Sequence, residues 1–341
     1  MVASEGSPAT AASRGEQEAF ARLIEPHRRL LHLHCYRMMG SLHDAEDLAQ
    51  ETLLRAWQGI DGFHGSSFRA WLFRIATNTC LNALGRRRRE SRILVGASGG
   101  EAHADAVPHL EPYPDELLDR LPAELGVMEE KVRPDFRYET KESISIAFMV
   151  ATQLLPPRQR AVLLLRDVLD FSPSEVADQM ASSVAGVNSL LQRARSTLRK
   201  SGLYSGTGGP YDLVARDAAE DQIVARFVSA WEGGDIRGLV DLLTDDAVLS
   251  MPPQELRLVG PTAIGDFLST VPADGDLERI RLVATAANRQ PALAAYILDI
   301  STGAYNAYGM MVLTTERGTI RAITGFADST LFRFFGLGQT L

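Results

Sequence analysis

The segment from Ser172 to Lys200 constrains the fold more than any other, because it encodes two helices joined by a tight turn. Ser172 can cap the first helix, Pro173 suits its first position, and Glu175 completes a capping box. Small residues then form the turn, and the last of them, Ser183, can cap a second helix. The segment is therefore predicted to be a helix-turn-helix.

The second of these helices has one apolar face and one face of small and polar residues. A rotation of about 100° per residue places the apolar side chains on one stripe, which consists of Val184, Val187, Leu190, Leu191, Ala194 and Leu198. The opposite side, called here the recognition face, consists of Ser183, Ala185, Gly186, Ser189, Gln192, Arg193, Ser196 and Lys200. Small residues followed by Gln and Arg allow close approach to base edges in a major groove. Ordinary helical hairpins also have polar outer faces, so this pattern alone leaves both interpretations open.

The overall charge gives no sign of nucleic-acid binding. The net charge is -8 and the pI is about 5.5, whereas a basic surplus is the usual footprint of such proteins. Basic residues are concentrated locally, in the run Arg86–Arg89 and at the end of the second helix, from Arg193 to Lys200. A local patch can bind phosphate on an acidic molecule. A solvated helix end favoured by the helix dipole would give the same pattern.

A second amphipathic helix is predicted from Asp44 to Trp57. Its outward side consists of Asp44 and of five residues called here the docking face: Asp47, Gln50, Glu51, Leu54 and Arg55. A catalytic role for these carboxylates is disfavoured, because no glycine loop or histidine cluster lies nearby to build a pocket. One leucine among charged residues is typical of a surface that docks on another protein.

Aromatic residues alternate with Arg and Asn after this helix. Such a pattern suits unpaired DNA, because stacking contributes about 1 to 3 kcal/mol per base while arginines follow the backbone. The residues predicted to bind single strands, called here the single-strand set, are Phe63, His64, Phe68, Arg69, Asn78, Asn82, Arg86 and Arg87. The alternative is that aromatics in this stretch are core, and we predict a core position for Trp71, Leu72 and Ile75.

Composition divides the chain into helical and mixed segments. The predicted boundaries are a disordered N-terminus at 1–15, helical domains at 16–95 and 139–202, an acidic and Pro-rich linker at 96–138, a Gly-rich hinge at 203–217, and an α+β domain at 218–341. The last domain is predicted to contain two helices followed by a curved antiparallel sheet, because its apolar residues alternate and are often β-branched.

No cofactor or metal site is predicted. The two cysteines, Cys35 and Cys80, lie in apolar helical contexts without metal-ligand spacing, so we expect reduced core thiols. No segment approaches the roughly 20 apolar residues of a membrane span, and the N-terminus lacks the apolar stretch of a signal peptide. We therefore expect a cytoplasmic protein without a membrane partner.

The order of these features resembles a known family. The stretches Asp44–Trp57 and Phe68–Asn78 resemble region two of extracytoplasmic-function (ECF) sigma factors of the sigma-70 family, and Leu154–Arg166 with the helix-turn-helix resembles region four. The resemblance implies that the docking face binds the clamp helices of the largest subunit of core RNA polymerase, with the flap as a further contact. It implies that the loop Gly62–Ser67 and the helix after it capture a flipped base of the melted promoter, while the recognition face reads a more distal promoter element as duplex.

The C-terminal part resembles a different family. Trp231–Asp235, Met251–Pro253 and Gly260–Ile264 resemble the SnoaL-like branch of the nuclear-transport-factor-two (NTF2) fold. Tyr113–Asp115 and Gln290–Ala292 resemble the sigma subgroups that carry such a tail. The implied architecture is multidomain, with two all-α domains followed by an α+β, NTF2-like cone domain.

These observations predict a promoter-specificity subunit whose C-terminal domain regulates it, with or without a sensed ligand. The alternative is that the C-terminal domain is a small-molecule-binding module or a cyclase or isomerase. The predicted pocket set is Trp231, Met251, Tyr296, Tyr308, Met310 and Phe326. Because no His or Cys follows His109, a general base there would have to be an aspartate such as Asp246, Asp299 or Asp328. Catalysis is therefore disfavoured, and no catalytic residue is predicted.

Overall fold

The computed structural model describes residues 8–64, 67–98, 110–120, 144–200 and 218–341. The predicted hinge at 203–217 lies outside the described residues, as do residues 1–7 and most of the predicted linker. Within the described ranges, no helix combines the length and the apolar character needed to cross a membrane.

Three long helices form the first domain: α1 Pro8–Met39, α2 Leu42–Gly59 and α3 Phe68–Ser98, with a 3-10 turn at Ile60–Gly62. Ser41 caps α2 by accepting a hydrogen bond from the Asp44 N–H. The core is built around Tyr36 and Phe73, which are fully buried. Helix α1 begins at Pro8, whereas composition predicts disorder over residues 1–15.

A short helix lies in the described part of the linker: α4 Asp115–Asp119. Residues 110–114, directly before it, are buried, and Pro114 forms an isolated antiparallel bridge with Ala287 of the C-terminal sheet. This part of the linker is therefore packed between domains.

The second helical domain contains α5 Ile146–Gln153, α6 Pro157–Leu163, a π-helical turn at Leu164–Val168, α7 Pro173–Gln179 and α8 Val184–Lys200. The predicted capping box is confirmed, since Ser172 Oγ accepts from the Glu175 N–H while the Glu175 carboxylate accepts from the Ser172 N–H. Ser183 Oγ accepts from the Gly186 N–H at 3.1 Å. The predicted apolar stripe is buried at Val187, Leu191, Ala194 and Leu198, half-buried at Leu190 and exposed at Val184.

The C-terminal domain packs helices α9 Ala218–Glu232, α10 Ile236–Val240 and α11 Pro261–Leu268 on one sheet. Its strands are β1 Leu243–Ser250, β2 Arg257–Val259, β3 Ile280–Ala287, β4 Gln290–Leu298, β5 Tyr305–Glu316 and β6 Thr319–Phe326. The strand order is β2-β1-β6-β5-β4-β3. The prediction of an antiparallel sheet is wrong for β1 and β6, which pair in parallel. Parallel strands need a long connection, and the many residues between β1 and β6 provide one, so β6 can run beside β1 in the same direction.

Candidate polymerase, promoter and regulatory interfaces

The docking face of α2 is open to solvent. Asp47, Gln50, Leu54 and Arg55 are exposed and Glu51 is half-buried. The Leu54 side chain is 62% exposed, although it is large and apolar. Arg55 forms an ion pair with Glu51 at 2.6 Å, an i,i+4 spacing along the helix. Because the opposite side of α2 is buried in the domain core, this face is free to meet another protein.

The aromatic members of the single-strand set form a cluster beside the start of α3. The ring centroids of Phe63 and Phe68 lie 5.6 Å apart, and each ring also lies within 5.5 Å of the Trp71 ring. Both phenylalanines are half-buried and His64 is exposed. The predicted core position of Trp71 is only partly met, since this ring is half-buried, as is Ile75, whereas Leu72 is fully buried.

The polar members of the set lie farther along α3. Asn78, Asn82, Arg86 and Arg87 are exposed along this helix. Arg87 forms an ion pair with Asp44 of α2 at 2.5 Å. Asn78, Asn82 and Arg86, at i,i+4 spacing, therefore form a line of exposed donors on this helix, while Arg87 is engaged by Asp44.

Arg69 is turned away from that line and contacts the second helical domain. Its Nη2 donates to the Leu169 carbonyl at 2.9 Å, and its guanidinium lies 4.4 Å from the centre of the Phe171 ring. Burial lowers the pKa of Arg69 from its ordinary value. In this arrangement Arg69 is engaged within the protein, and sequence could not reveal that, because its partner lies 100 positions away in the chain.

The recognition face of α8 is largely open. Ser183, Ala185, Ser189, Gln192, Arg193 and Lys200 are exposed, while Gly186 and Ser196 are half-buried. A Cβ atom at Gly186 would lie 2.7 Å from Ser182 Oγ, so a larger residue there would require the Ser182 side chain to move. Arg195, which neighbours this face, pairs with Asp167 at 2.6 Å. The helix can therefore present small residues at its front and donors behind them.

The two helical domains are joined by a buried arginine. Arg160 of α6 is 4% exposed, and its guanidinium donates to the Met38 carbonyl of α1 and to the Leu155 carbonyl. Burial lowers the pKa of Arg160 to about 10. The sequence signal for this contact is an arginine directly before the apolar run Ala161–Leu165.

Asn288, in the turn between β3 and β4, joins the C-terminal domain to the rest of the molecule. Its side-chain Oδ1 accepts from the Tyr113 N–H at 2.7 Å. Its Nδ2 donates to the Ile144 carbonyl at 2.6 Å and to the Tyr36 hydroxyl at 3.1 Å. The residue is fully buried and has a φ of 57°, a conformation that Asn tolerates better than most residues. One side chain thus contacts α1, the linker and the segment that precedes α5.

A second junction surrounds the start of α2. The buried Glu111 carboxylate accepts from the Leu42 N–H at 2.6 Å and from Ser41 Oγ at 3.1 Å, and it contacts His43 Nδ1 at 3.2 Å. His43 Nε2 lies 3.1 Å from Thr330 Oγ1 of the C-terminal domain. Although His43, Glu111 and Asp328 each offer a potential metal ligand within 4.8 Å, Glu111 is already committed to capping α2. We assign the cluster to domain contact.

The C-terminal domain contains an apolar cavity of about 100 Å³. Five members of the predicted pocket set lie on its walls: Trp231, Met251, Tyr308, Met310 and Phe326. The prediction is wrong for Tyr296, whose hydroxyl donates to the Gly338 carbonyl at 3.0 Å and whose ring packs on Phe332. The neighbouring residue Ala295 lines the cavity instead, because successive side chains of a strand point to opposite faces.

The aspartates considered as general bases do not line this cavity. Asp246 is exposed on β1. Hydrogen bonds from Ser301 lower the pKa of Asp299, which opposes a role as a base near neutral pH. Asp328 lies at the junction with Glu111 and accepts from Thr330. Among the described residues on the cavity wall, none carries a carboxyl group or an imidazole.

Comparison with known families gives the class of this protein. The sigma-70 region 2 model matches residues 23–90, the sigma-70 region 4 model matches residues 145–198, and the SnoaL-like domain model matches residues 224–323. The same order of two helical domains and an α+β domain is seen in the structure. These findings define a sigma-70-type initiation factor with a SnoaL-like C-terminal domain.

The relatives agree with this assignment. The chain is 43% identical over 333 residues to the ECF RNA polymerase sigma factor SigG of Mycobacterium tuberculosis, a match that spans 94% of this chain and 85% of SigG. SigW of Bacillus subtilis is 28% identical over 55% of this chain. The crystal structure of the ECF sigma factor SigJ of Mycobacterium tuberculosis shares the fold, with a TM-score of 0.60 at 22% identity over 93% of this chain. The chain belongs to the ECF sigma factors and, as such, binds core RNA polymerase and promoter DNA.

Proposed function

We propose that the docking face binds the clamp helices of the polymerase and that the second helical domain binds the flap. The support is the exposure of Leu54 among charged residues on a helix whose other side is buried. Exposed apolar residues on an otherwise polar surface mark sites of protein contact. Substitution of Leu54 by Asp should weaken polymerase binding, and an unchanged affinity would contradict this assignment.

The two promoter-contacting surfaces bind different forms of DNA, one unpaired and one duplex. The single-strand set is suited to hold unpaired bases, because its aromatic cluster stands at the head of a helix lined with Asn and Arg. The recognition face is suited to enter a major groove, since its front residues are small and exposed. Melting becomes favourable when the open strand is held better than the duplex.

The described arrangement is a closed form that must open for promoter melting. Arg69 belongs to the single-strand set, yet its guanidinium is held by Leu169 and Phe171 of the second helical domain. Arg69 cannot contact a DNA backbone while those contacts persist. Separation of the two helical domains would release it.

The SnoaL-like domain restrains this opening and so regulates the factor. The observation that carries the proposal is the Asn288 side chain, which hydrogen-bonds Tyr113 of the linker, Tyr36 of α1 and Ile144 before α5. Elements that must separate are thereby tied to one turn of the C-terminal domain.

The test uses the full chain with Asn288→Gly and compares its affinity for core polymerase with that of the wild-type chain. If the restraint exists, the variant should bind core polymerase more tightly, because less free energy is needed to open the closed form. Arg317→Gly, in the exposed turn after β5, is the matched control. Equal affinities for all three proteins would refute the proposed restraint.

The cavity indicates a second function of the C-terminal domain, which is the binding of a small ligand. Its wall is apolar and includes the buried Trp231, as expected for a small-molecule site. The absence of carboxyl and imidazole groups from its described lining supports binding without catalysis. Conversion of a bound compound by the purified chain would overturn this part of the proposal.

A further inference from the structure

Arg195 lies on a flank of α8, beside the recognition face. Two positions advance about 200° along a helix, so Arg193 and Arg195 lie on nearly opposite sides of α8. A stripe at helical spacing, called here the flank stripe, consists of Asn188, Gln192, Arg195 and Arg199, of which Gln192 also belongs to the recognition face. All of these side chains are exposed, and all carry N–H donors. The flank stripe is therefore a row of donors about a quarter turn away from the centre of the recognition face.

A helix that enters a major groove meets phosphates on both sides. The groove is roughly 12 Å wide, and a helix with its side chains is about 10 to 12 Å across. The base edges lie at the floor of the groove, and the two phosphate backbones form its walls. When the recognition face meets the bases, the flank stripe consequently faces one wall. Arginine suits such a wall, because its planar guanidinium matches the geometry of a phosphate.

Asp167 holds the guanidinium of Arg195 from the side of the domain. Arg195 Nε donates to Asp167 Oδ2 at 2.9 Å, and Arg195 Nη2 donates to Asp167 Oδ1 at 2.6 Å. The Arg195 side chain nevertheless stays 54% exposed, whereas that of Asp167 is 29% exposed. The carboxylate is thus the inner member of the pair and the guanidinium the outer one. Because an exposed ion pair adds little to stability, the main effect of this pair is to fix the orientation of a long side chain.

Asp167 is itself fixed by the π-helical turn at Leu164–Val168. The Leu169 N–H donates to the Leu164 carbonyl at 2.9 Å and closes the turn. The side chains of Leu164, Leu165 and Leu169 are buried and anchor the turn in the core of the domain. Turns of this type are rare and occur frequently at functional sites. The turn therefore gives the carboxylate a rigid base.

We propose that Arg195 binds a phosphate of one DNA strand and that Asp167 is the positioning residue that orients Arg195 toward it. The proposal rests on the proposed duplex-reading role of the recognition face, and it adds a contact that is independent of base sequence. An arginine that is already ordered loses less conformational entropy when it meets a phosphate. Removal of Asp167 should therefore weaken DNA binding, although the loss of a negative charge would by Coulomb attraction alone strengthen it.

The test measures how the holoenzyme, assembled from core polymerase and the full chain, binds a labelled duplex promoter identified from transcript start sites. Asp167→Ala should weaken binding about fivefold. Arg195→Ala should weaken it about tenfold and lower the salt slope by about one. Asp178→Ala, which removes the same charge from an exposed position on α7, is the matched control and should not weaken binding. A complex with Asp167→Ala that is tighter than the wild-type complex, or equal to it, would overturn the positioning role.

A double-mutant cycle distinguishes the orientation of Arg195 from a structural role of Asp167. In the Arg195→Ala background, Asp167→Ala should cause no further weakening, because the side chain that Asp167 orients has been removed. A loss of about fivefold that persists in this background would show that Asp167 supports the fold of the domain, and it would contradict the proposal.

A duplex of scrambled sequence separates the phosphate contact from the reading of bases. Arg195→Ala and Asp167→Ala should weaken the cognate and the scrambled duplex by the same factor, because phosphates carry no sequence information. A loss confined to the cognate duplex would assign Arg195 to a base, and unchanged binding of Arg195→Ala to both duplexes would overturn the proposal. A wild-type holoenzyme that bound both duplexes equally would contradict the proposed function, whereas equal losses in the two variants would still support the phosphate contact.

Discussion

Asn288 and Tyr113 exchange two hydrogen bonds across the junction between the SnoaL-like domain and the linker. The Asn288 N–H donates to the Tyr113 carbonyl at 2.8 Å, and the Tyr113 N–H donates to Asn288 Oδ1 at 2.7 Å. The pair continues the sheet edge, where Pro114 bridges to Ala287. The linker therefore docks on the C-terminal domain much as an added strand would.

Removal of the Asn288 side chain should loosen this junction. In Asn288→Gly the backbone keeps its positive φ, but the Tyr113 N–H, the Tyr36 hydroxyl and the Ile144 carbonyl lose a buried partner. We expect a loss of about 2 to 4 kcal/mol in docking free energy. Amide exchange should quicken at least tenfold over residues 110–120 and 144–153. Exchange that matches the wild-type chain there would contradict the role given to Asn288.

Arg69 should be needed to hold the two helical domains together. Arg69→Ala removes both the bond to Leu169 and the stacking on Phe171, which together contribute about 1 to 3 kcal/mol. Förster transfer between labels on the two helical domains of the free protein should fall. Arg74→Ala, on an exposed side chain of the same helix, serves as the control and should leave the transfer unchanged. Identical distances in Arg69→Ala and the wild-type chain would argue against the closed form.

Acid should destabilise the junction between the first helical domain and the linker. Burial lowers the pKa of His32 from 6.5 to about 4, and His32 Nδ1 lies 2.9 Å from the Tyr113 hydroxyl. A depressed folded-state pKa gives stability that is fully present above pH 6.5 and lost as the pH falls toward 4. Between pH 6.5 and pH 4, protonation of His32 should therefore lower the free energy of unfolding by roughly 3 kcal/mol.

Urea unfolding measured between pH 7 and pH 4 checks this expectation. In His32→Gln the decrease in unfolding free energy should be smaller by roughly that amount. A decrease should remain, because burial also lowers the pKa of His34, to about 3. A variant with the same pH profile as the wild-type chain would show that His32 is not the titrating group.

The role of Arg193 on the recognition face can be separated from general charge attraction. Arg193→Ala should weaken binding to the cognate promoter by about 1 to 3 kcal/mol and relax its base preference if the side chain contacts a base. A phosphate contact would instead weaken all sequences alike and lower the salt slope by about one. Arg226→Ala, on the exposed side of α9, is the control. Unchanged promoter affinity and selectivity would remove Arg193 from the recognition face.

Local features of the fold could be predicted from sequence because their causes are local. The capping box at Ser172 and the buried positions of α8 follow from residue chemistry and helical period. Strand β2 was not predicted, since its three residues, Arg257–Val259, are too few to show alternation. The parallel pairing of β1 with β6 depends on how distant segments meet, which no local pattern records.

The junctions between domains could not be predicted for the same reason. Asn288 and Tyr36 are 252 positions apart, and the Arg69 contact with Leu169 spans 100. The aromatic pattern placed Phe68 and Arg69 together in the single-strand set, and it could not show that Arg69 turns toward another domain. A short polar turn such as that at Asn288 looks like an ordinary loop until its partners are known.

As an ECF sigma factor, this chain directs core RNA polymerase to specific promoters. The most direct test is in vitro transcription with sigma-free bacterial core polymerase and a genomic promoter library, followed by sequencing of the transcript ends. Wild-type protein should yield start sites that share a two-part upstream motif. Leu54→Asp should reduce this output at least tenfold, whereas Leu23→Asp, at an exposed leucine outside the docking face, should not. Absence of promoter-dependent transcripts with the wild-type chain would show that it does not act as a promoter-specificity subunit.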